Sequence, residues 1–379
     1  MPKCSIVIDL GFGDAGKGLT TDFLASQHPK KSLVIRFSGG HQVGHTVTKP
    51  TITHTFSNFG SGTLQNVPTF YTEKTTIFPP AIFQEGKFLK AYQPQLYLHP
   101  LAMVTTLYDI AFNRAVEKQQ QHGSCGLGFG TTIARNKEEI FFFANDLQFE
   151  WVIKQRLNSI KTYYEHQLKA QPKEVKKYYK EELKQYDETF FIESCKHIQA
   201  FYSIVDLPEL VPAFEHFIFE GSQGILLDTQ YGFYPHTTWS NTTSKNALQL
   251  IEKNLKTAKI EIYYVTRCYQ TRHGNGPMSA TKNVQLQNNE NEANVENEFQ
   301  GKFRTQALDV SLLNYALSCD AIHHPTIPIA KKLMVTCLDQ LPDFSMEGFV
   351  EKLEVHFQEI YGSYGPGSTT IKPIHQKPE

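Results

Sequence analysis

The octapeptide GFGDAGKG, residues 11–18, constrains this chain more than any other stretch. It follows the apolar run Cys4-Ser5-Ile6-Val7-Ile8-Asp9-Leu10 and precedes LTTDFLA, whose apolar residues have helical spacing. Strand, glycine-rich turn and helix are the context in which backbone N–H groups and a helix N-terminus cradle phosphate oxygens. The usual pattern is G-x-x-x-x-G-K-[ST], with the last hydroxyl on magnesium. Gly11, Gly16 and Lys17 match it, but Gly18 stands where the hydroxyl should be. Asp14 adds a negative charge to a loop suited to anions, which is unfavourable unless a cation or a reacting group neutralises it.

Further apolar runs recur at Leu33–Phe37, Ile140–Phe143, Phe217–Phe219, Ile260–Val265 and Lys332–Thr336. Helical patterns lie between them, as at Leu19–Ser26 and Leu308–Ala316. This alternation predicts an α/β fold: a P-loop-like, largely parallel central sheet flanked by helices, with a helical insertion. Ligands of such sheets bind beyond the carboxyl ends of the strands. Residues 1–379 read as a single domain. Residues 151–188 read as a charged helical subdomain with a break near Pro172, and the Asn/Glu-rich stretch 284–298 as a mobile polar loop.

A net charge of −1 gives no bulk electrostatic case for nucleic acid or an anionic membrane. No apolar run approaches the roughly 18 residues of a membrane span. The first residues run straight into the first strand, so a cytoplasmic protein is expected. The six cysteines lack CxxC or zinc spacing and read as reduced thiols. Only Cys125, in a glycine-rich loop, stands out.

Other loops carry chemistry. RFSGGHQVGHTV (residues 36–47) sets His41 and His45 among Gly39, Gly40 and Gly44, which suits acid–base work. FEGSQG (219–224) presents Gln223, a donor and acceptor suited to a purine edge, ahead of the hydroxyl- and amide-rich TTWSNTT. Arg267, Arg272, Lys302 and Arg304 gather in sequence around one polar loop and suit carboxylate or phosphate. VTCLDQ ends at Asp339, whose carboxylate can accept both N1–H and the 2-amino group of guanine. GSYGPGSTT forms a compact turn able to wall a base.

Taken in order, these pieces resemble adenylosuccinate synthetase. That family reads GDEGKGK, GGHNAGHT, GTTGRG, EGAQG…TSSNTT, TRVGxGP, an Arg-rich aspartate loop, TKLD and STGP. This chain reads GDAGKGL, GGHQVGHT, GSCGLG, EGSQG…TWSNTT, TRHGNGP, GKFRT, TCLD and SYGP, from residue 11 to about 370. The resemblance implies that GTP phosphorylates O6 of a 6-oxopurine nucleotide and that L-aspartate then displaces phosphate from C6. It implies Asp14, His45 and Lys17 as catalytic residues, with Mg²⁺ held by Asp14 and the Gly44 carbonyl. Gly13, Gly16, Lys17, Gly18, Asp339, Ser363, Gly365 and Pro366 would bind GTP; ATP is not excluded as the donor. Gln42, Ser124, Cys125, Arg135, Gln223, Thr238 and His273 would surround the acceptor nucleotide. Arg135 aligns with an arginine that in the family reaches into the partner subunit's site. Lys302, Arg304 and Thr305 would bind aspartate. A homodimer is implied, with no nucleic acid or membrane partner.

The departures cluster on the acceptor. Gln42 replaces Asn, Ser124-Cys125 replaces Thr-Thr, and His273 replaces a small apolar residue. IMP is the expected acceptor, because Asp14 is retained. The alternative is dGMP, the acceptor of a phage branch in which that aspartate is often a small residue. Two rival readings are a non-catalytic nucleotide-binding protein, motivated by the thinned arginine loop, and a plain P-loop GTPase or kinase, against which Gly18 counts.

Overall fold

The computed structural model describes residues 1–120, 123–290, 292, 294, 301–324 and 328–374. Its frame is a ten-stranded sheet. From edge to edge the strands are Ile371–Ile374, Glu359–Ser363, Ile329–Thr336, Lys259–Arg267, Lys3–Asp9, His216–Glu220, Ser32–Arg36, Thr69–Tyr71, Leu96–Leu98 and Tyr202–Ile204. Every neighbouring pair is parallel except Glu359–Ser363 with Ile371–Ile374.

Parallel strands covered on both faces read as continuous apolar runs, which is why the central strands stand out in the sequence. Alternate residues serve opposite layers. Ile6, Ile8, Leu33, Ile35, Phe217 and Phe219 face one core, shared with helices Lys245–Asn254 and Val310–Ala321. Val7, Val34, Ile218 and Val265 face the other way, onto Leu19, Leu24 and Ala25 of helix Lys17–Gln27. A further core joins one end of the sheet to helices: Leu96 and Leu98 pack with Leu107, Ala111, Leu157, Ile160, Val175 and Phe191.

Residues 150–183 form two helices, Glu150–Lys169 and Lys173–Leu183, separated at Pro172. Proline favours this place because it has no N–H to give to the preceding helix. The run Ile140–Phe143 is not the strand its composition suggests. Phe143 makes one isolated bridge to Met103, and Phe142 is buried in the helical core. A short apolar run cannot be told from a buried connector by pattern alone. Of the polar stretch 284–298, residues 291, 293 and 295–298 lie outside the described residues. Its earlier part is tied down where the Gln287 N–H donates to the Gln340 carbonyl at 2.9 Å. Among the described residues no helix is long and apolar enough to cross a membrane.

Candidate active site

The loops after Asp9, Arg36, Glu220, Arg267 and Thr336 all emerge at the carboxyl ends of adjacent parallel strands. The phosphate loop lies at their centre. Gly13 and Gly16 have φ of 101° and 97°, which only glycine adopts without strain. Asp14 also has positive φ, 61°. Its backbone carbonyl accepts from Arg267 Nε at 2.6 Å. The Ala15 carbonyl accepts from the Thr336 hydroxyl at 2.8 Å, tying the loop to the strand that leads to Asp339. The Asp14 side chain is 26% exposed, with Oδ2 3.5 Å from His273 Nε2. Burial pushes the Asp14 carboxyl above its ordinary range, against the pull of His273, Arg267 and Lys17. Lys17 is buried, its ammonium 2.9 Å from Asp9 Oδ2.

Gly18 has a steric reason. A Cβ there would stand 2.8 Å from His45 Cβ and 3.1 Å from Ser61 Oγ. The space a phosphate-loop hydroxyl would occupy is filled by the second loop.

His45 opens the hairpin His45–Lys49/Ile52–Phe56. Its Nδ1 is 3.0 Å from Oε1 of Glu220, a fully buried carboxylate. Ser61 donates its hydroxyl to the same carboxylate, and Arg36 Nη1 lies 3.7 Å from it. Burial would raise Glu220, but His45, Arg36 and Ser61 outweigh it and hold the carboxyl at about 2. Burial lowers His45, with Glu220 pulling the other way.

Several buried polar atoms around this loop have no hydrogen-bond partner among the described residues: both ring nitrogens of His41, both amide atoms of Gln42, His45 Nε2, Thr76 Oγ1, and Arg36 Nε and Nη2. Buried polar groups are ordinarily satisfied. Such a concentration is what a polar ligand would complete.

Gln223 takes a positive φ of 48° and reaches the phosphate loop from the opposite side. A Cβ at Gly13 would lie 3.7 Å from Gln223 Cα, and one at Gly224 only 2.2 Å from the Gly11 carbonyl oxygen. Ser222 Oγ donates to Gln223 Oε1 at 2.9 Å. The TWSNTT segment braces this turn: the Thr238 N–H donates to the Leu227 carbonyl at 2.7 Å, and Thr242 Oγ1 to the Gly224 carbonyl at 3.0 Å.

Ser124 and Cys125 sit in a loop ordered by Asn113, whose Nδ2 donates to Ser124 Oγ at 3.1 Å. Burial pushes the Cys125 thiol up to about 11, which disfavours the thiolate. This loop meets the TRHGNGP turn, where a Cβ at Gly123 would be 4.0 Å from Gly274 Cα.

Arg272 and Arg304 are cross-strand partners in the hairpin Tyr269–His273/Phe303–Ala307. Arg272 lies over the Phe12 ring at 4.1 Å and donates to the Pro277 carbonyl at 2.6 Å. Arg304 donates to the Gly274 and Gly276 carbonyls at 2.5 and 2.6 Å. The Nε of each has no partner among the described residues. Burial, and then the neighbouring Arg304, lower Arg272 to about 10, so an incoming carboxylate would relieve the pair. Thr305 and Arg304 line an open groove of ≈ 260 Å³ with Met278, Ser279, Ala280 and Gln306. Lys302 is exposed beside it.

Asp339 is half-buried in the turn after Thr336. The preceding Leu338 donates its N–H to the Ser363 carbonyl at 3.0 Å, which sets Asp339 beside the SYGP turn. Ser363 Oγ and Thr370 Oγ1 both donate to the Gly365 carbonyl, at 2.8 and 3.0 Å, and Pro366 is exposed.

The model of the adenylosuccinate synthetase family matches residues 6–346. This chain belongs to that family. Adenylosuccinate synthetase of Thermoplasma volcanium is 27% identical over 328 residues, 84% of this chain and 73% of that protein. The Helicobacter pylori (strain G27) enzyme is 28% identical over 273 residues; there the match spans 64% of the relative's length, just under two thirds. Among solved structures, fully ligated adenylosuccinate synthetase of Plasmodium falciparum superposes with a TM-score of 0.71 at 17% identity, over 97% of this chain and 98% of that one. The cyanophage S-2L succinoaminodeoxyadenylate synthetase, bound to dGMP and dATP, superposes with a TM-score of 0.70 at 15% identity, over 98% and 95%. The sheet and its flanking helices are thus the fold of adenylosuccinate synthetases.

Within that frame Arg135, expected beside the acceptor nucleotide, lies in the interior. Arg135 is fully buried, and its guanidinium is held by Asp109 at 2.9 and 3.2 Å and by the Ile140 and Val104 carbonyls at 2.5 and 2.9 Å. It forms a core ion pair, and all three guanidinium nitrogens are engaged within the chain. Two residues were missed. Asp9 and Glu220 each end an apolar strand, where an acid looks like a simple stop; a buried strand ending in a carboxylate ahead of a glycine-rich loop was the available signal. The oxygen donors that the resemblance assigns to magnesium are of the type that ion takes. Among the described residues no three His, Cys, Asp or Glu side chains form a cage. Mg²⁺ typically takes one or two protein oxygens beside phosphates and water, as the Asp14 carboxylate and Gly44 carbonyl would supply.

Proposed function

We propose that this chain joins L-aspartate to C6 of IMP with GTP as phosphoryl donor. Gly13, Gly16, Gly18 and Lys17 take the triphosphate, and Asp339 accepts from the guanine edge between Ser363, Gly365 and Pro366. Gln42, Ser124, Cys125, Gln223 and Thr238 surround the acceptor. Asp14 takes the N1 proton; a carboxylate of raised proton affinity suits that step. His45, with Nε2 unpaired, stabilises charge on O6 as the γ-phosphoryl group arrives. The aspartate amine then attacks C6 and phosphate leaves, with the aspartate carboxylates on Arg304, Arg272, Thr305 and Lys302. Asp14 and the Gly44 carbonyl would hold Mg²⁺, which supplies charge neutralisation at the phosphates.

The observation that carries this reading is the seating of His45 against Gly18. It puts an imidazole backed by a carboxylate beside a phosphate loop, in place of that loop's hydroxyl. The test is incubation with GTP, Mg²⁺, L-aspartate and each of IMP, dIMP, GMP and dGMP, with mass detection of the succinyl-nucleotide. No product from any of them overturns the reading.

A second reading, dGMP as acceptor, draws on His273. Its ring lies 3.5 Å from Asp14, and its buried Nδ1 has no partner among the described residues. A ring whose Nε2 lies beside the Asp14 carboxylate and whose Nδ1 is free to accept suits a purine that carries a 2-amino group. Product from dGMP and none from IMP would select it.

A further inference from the structure

The phosphate loop already contains an anion. Asp9 ends the central strand and is 1% exposed. Its Oδ1 accepts from the Gly11 N–H at 2.8 Å. Its Oδ2 accepts from the Ala15 N–H at 3.0 Å and from the Lys17 ammonium at 2.9 Å. Residues 11–17 are therefore wound around a carboxylate. Loop N–H groups and the loop lysine are the donors that a phosphate loop turns toward its ligand. Here two N–H groups and that lysine are turned onto the protein's own side chain.

We infer that Asp9 is a resident counter-anion of the phosphate loop, which folds the loop in the absence of nucleotide and holds Lys17 back from it. The inference rests on the reading of residues 11–18 as the triphosphate site. Its consequence is a trade. The loop's shape does not depend on a ligand, because Asp9 satisfies its buried donors. Its affinity for phosphate is correspondingly reduced, because Lys17 is neutralised and a fixed negative charge sits under the site. A bound triphosphate competes with Asp9 for the ammonium. Asp14, in the same loop, adds a second negative charge, while Arg267 packs on the loop through the Asp14 carbonyl, Arg272 over the Phe12 ring and His273 beside the Asp14 carboxylate.

The test is calorimetric titration of the full chain, wild type and Asp9→Asn, with inorganic pyrophosphate and with GTP. The asparagine oxygen can still accept one loop N–H, while its charge is gone. The expected result is binding of both probes about tenfold tighter in Asp9→Asn, the order given by removing one unit charge at loop distance in a partly screened site. A matching fall in KM for GTP is expected. Equal or weaker binding by a variant whose circular dichroism is native overturns the inference. Should Asp9→Asn not fold, Asp9→Ser, whose hydroxyl can accept a loop N–H, carries the same expectation. Wild type that makes succinyl-nucleotide while Asp9→Asn binds no tighter refutes the inference alone. Wild type that neither binds GTP nor makes product refutes the functional reading on which it rests.

Discussion

Alanine at position 18 should damage a protein that it would ordinarily stabilise. Gly18 is the second residue of helix Lys17–Gln27, where Gly→Ala is worth up to about 1 kcal/mol by helix propensity. Its φ is not positive, so alanine meets no backbone strain. The opposing effect is contact. The new methyl would lie 2.8 Å from His45 Cβ, 3.1 Å from Ser61 Oγ and 3.2 Å from the His45 carbonyl carbon. Carbon pairs settle at about 3.5–4.0 Å, so one loop must retreat by roughly 1 Å. Two of the three atoms belong to the Cβ and backbone of His45, which cannot swing aside. Overpacking of this kind costs about 1–3 kcal/mol, so the net change is a loss of up to about 2 kcal/mol. A 1 Å displacement of a reacting group costs about 10²-fold in rate. Gly18→Ser, which completes the usual phosphate-loop sequence, should behave the same way. Urea unfolding and initial rates of succinyl-nucleotide formation measure both effects. A Gly18→Ala protein that is more stable than wild type and equally active would refute the packing argument.

Three further expectations follow from the same geometry. Glu220→Gln should lower kcat by about 10²–10⁴-fold, the worth of a positioned acid–base group, while leaving KM for GTP near wild type; an unchanged kcat would separate His45 from its carboxylate. Arg135→Ala should cost about 3–5 kcal/mol in urea unfolding by stranding the buried Asp109 carboxylate, and an unchanged stability with raised nucleotide KM would return Arg135 to the site. His41 is buried against Phe78 and lowered by burial from 6.5 to about 4, so the unfolded chain takes up its proton first. Its contribution is present above pH 6.5 and is lost as pH falls through about 4, a total of about 3 kcal/mol. Unfolding free energies of wild type and His41→Phe between pH 7 and 4 should diverge in that direction, and parallel curves would rule it out.

The central sheet was legible because parallel strands buried on both faces are written as apolar runs. The strands Thr69–Tyr71, Leu96–Leu98 and Tyr202–Ile204, at one end of the sheet, have three residues each, too few to carry a period. The loops were legible because a glycine-rich turn after a strand has a geometric purpose even when read alone. The roles of Glu220 and Arg135 are decided by partners distant in sequence, His45 and Asp109, whereas that of Asp9 is decided within its own loop, by Gly11, Ala15 and Lys17. The Asp109 that claims Arg135 lies 26 residues away on another helix. An arginine written beside a glycine loop looks the same whether it turns outward or inward.

The division of the interior bears on the chemistry itself. Asp14 rides on a loop whose Leu10, Phe12 and Ala15 belong to the layers packed on the central strands. His45 begins a hairpin whose Val47 and Phe56 belong to the helical core. The gap between the Asp14 carboxylate and the His45 imidazole, the proton acceptor and charge stabiliser of the proposed mechanism, is thus a spacing between two loops anchored in different hydrophobic clusters. On the proposed mechanism their alignment would be a distributed quantity: methylenes removed from Leu157 or Ile160, which share a core with Val47 and Phe56, would act on it without a change in either loop.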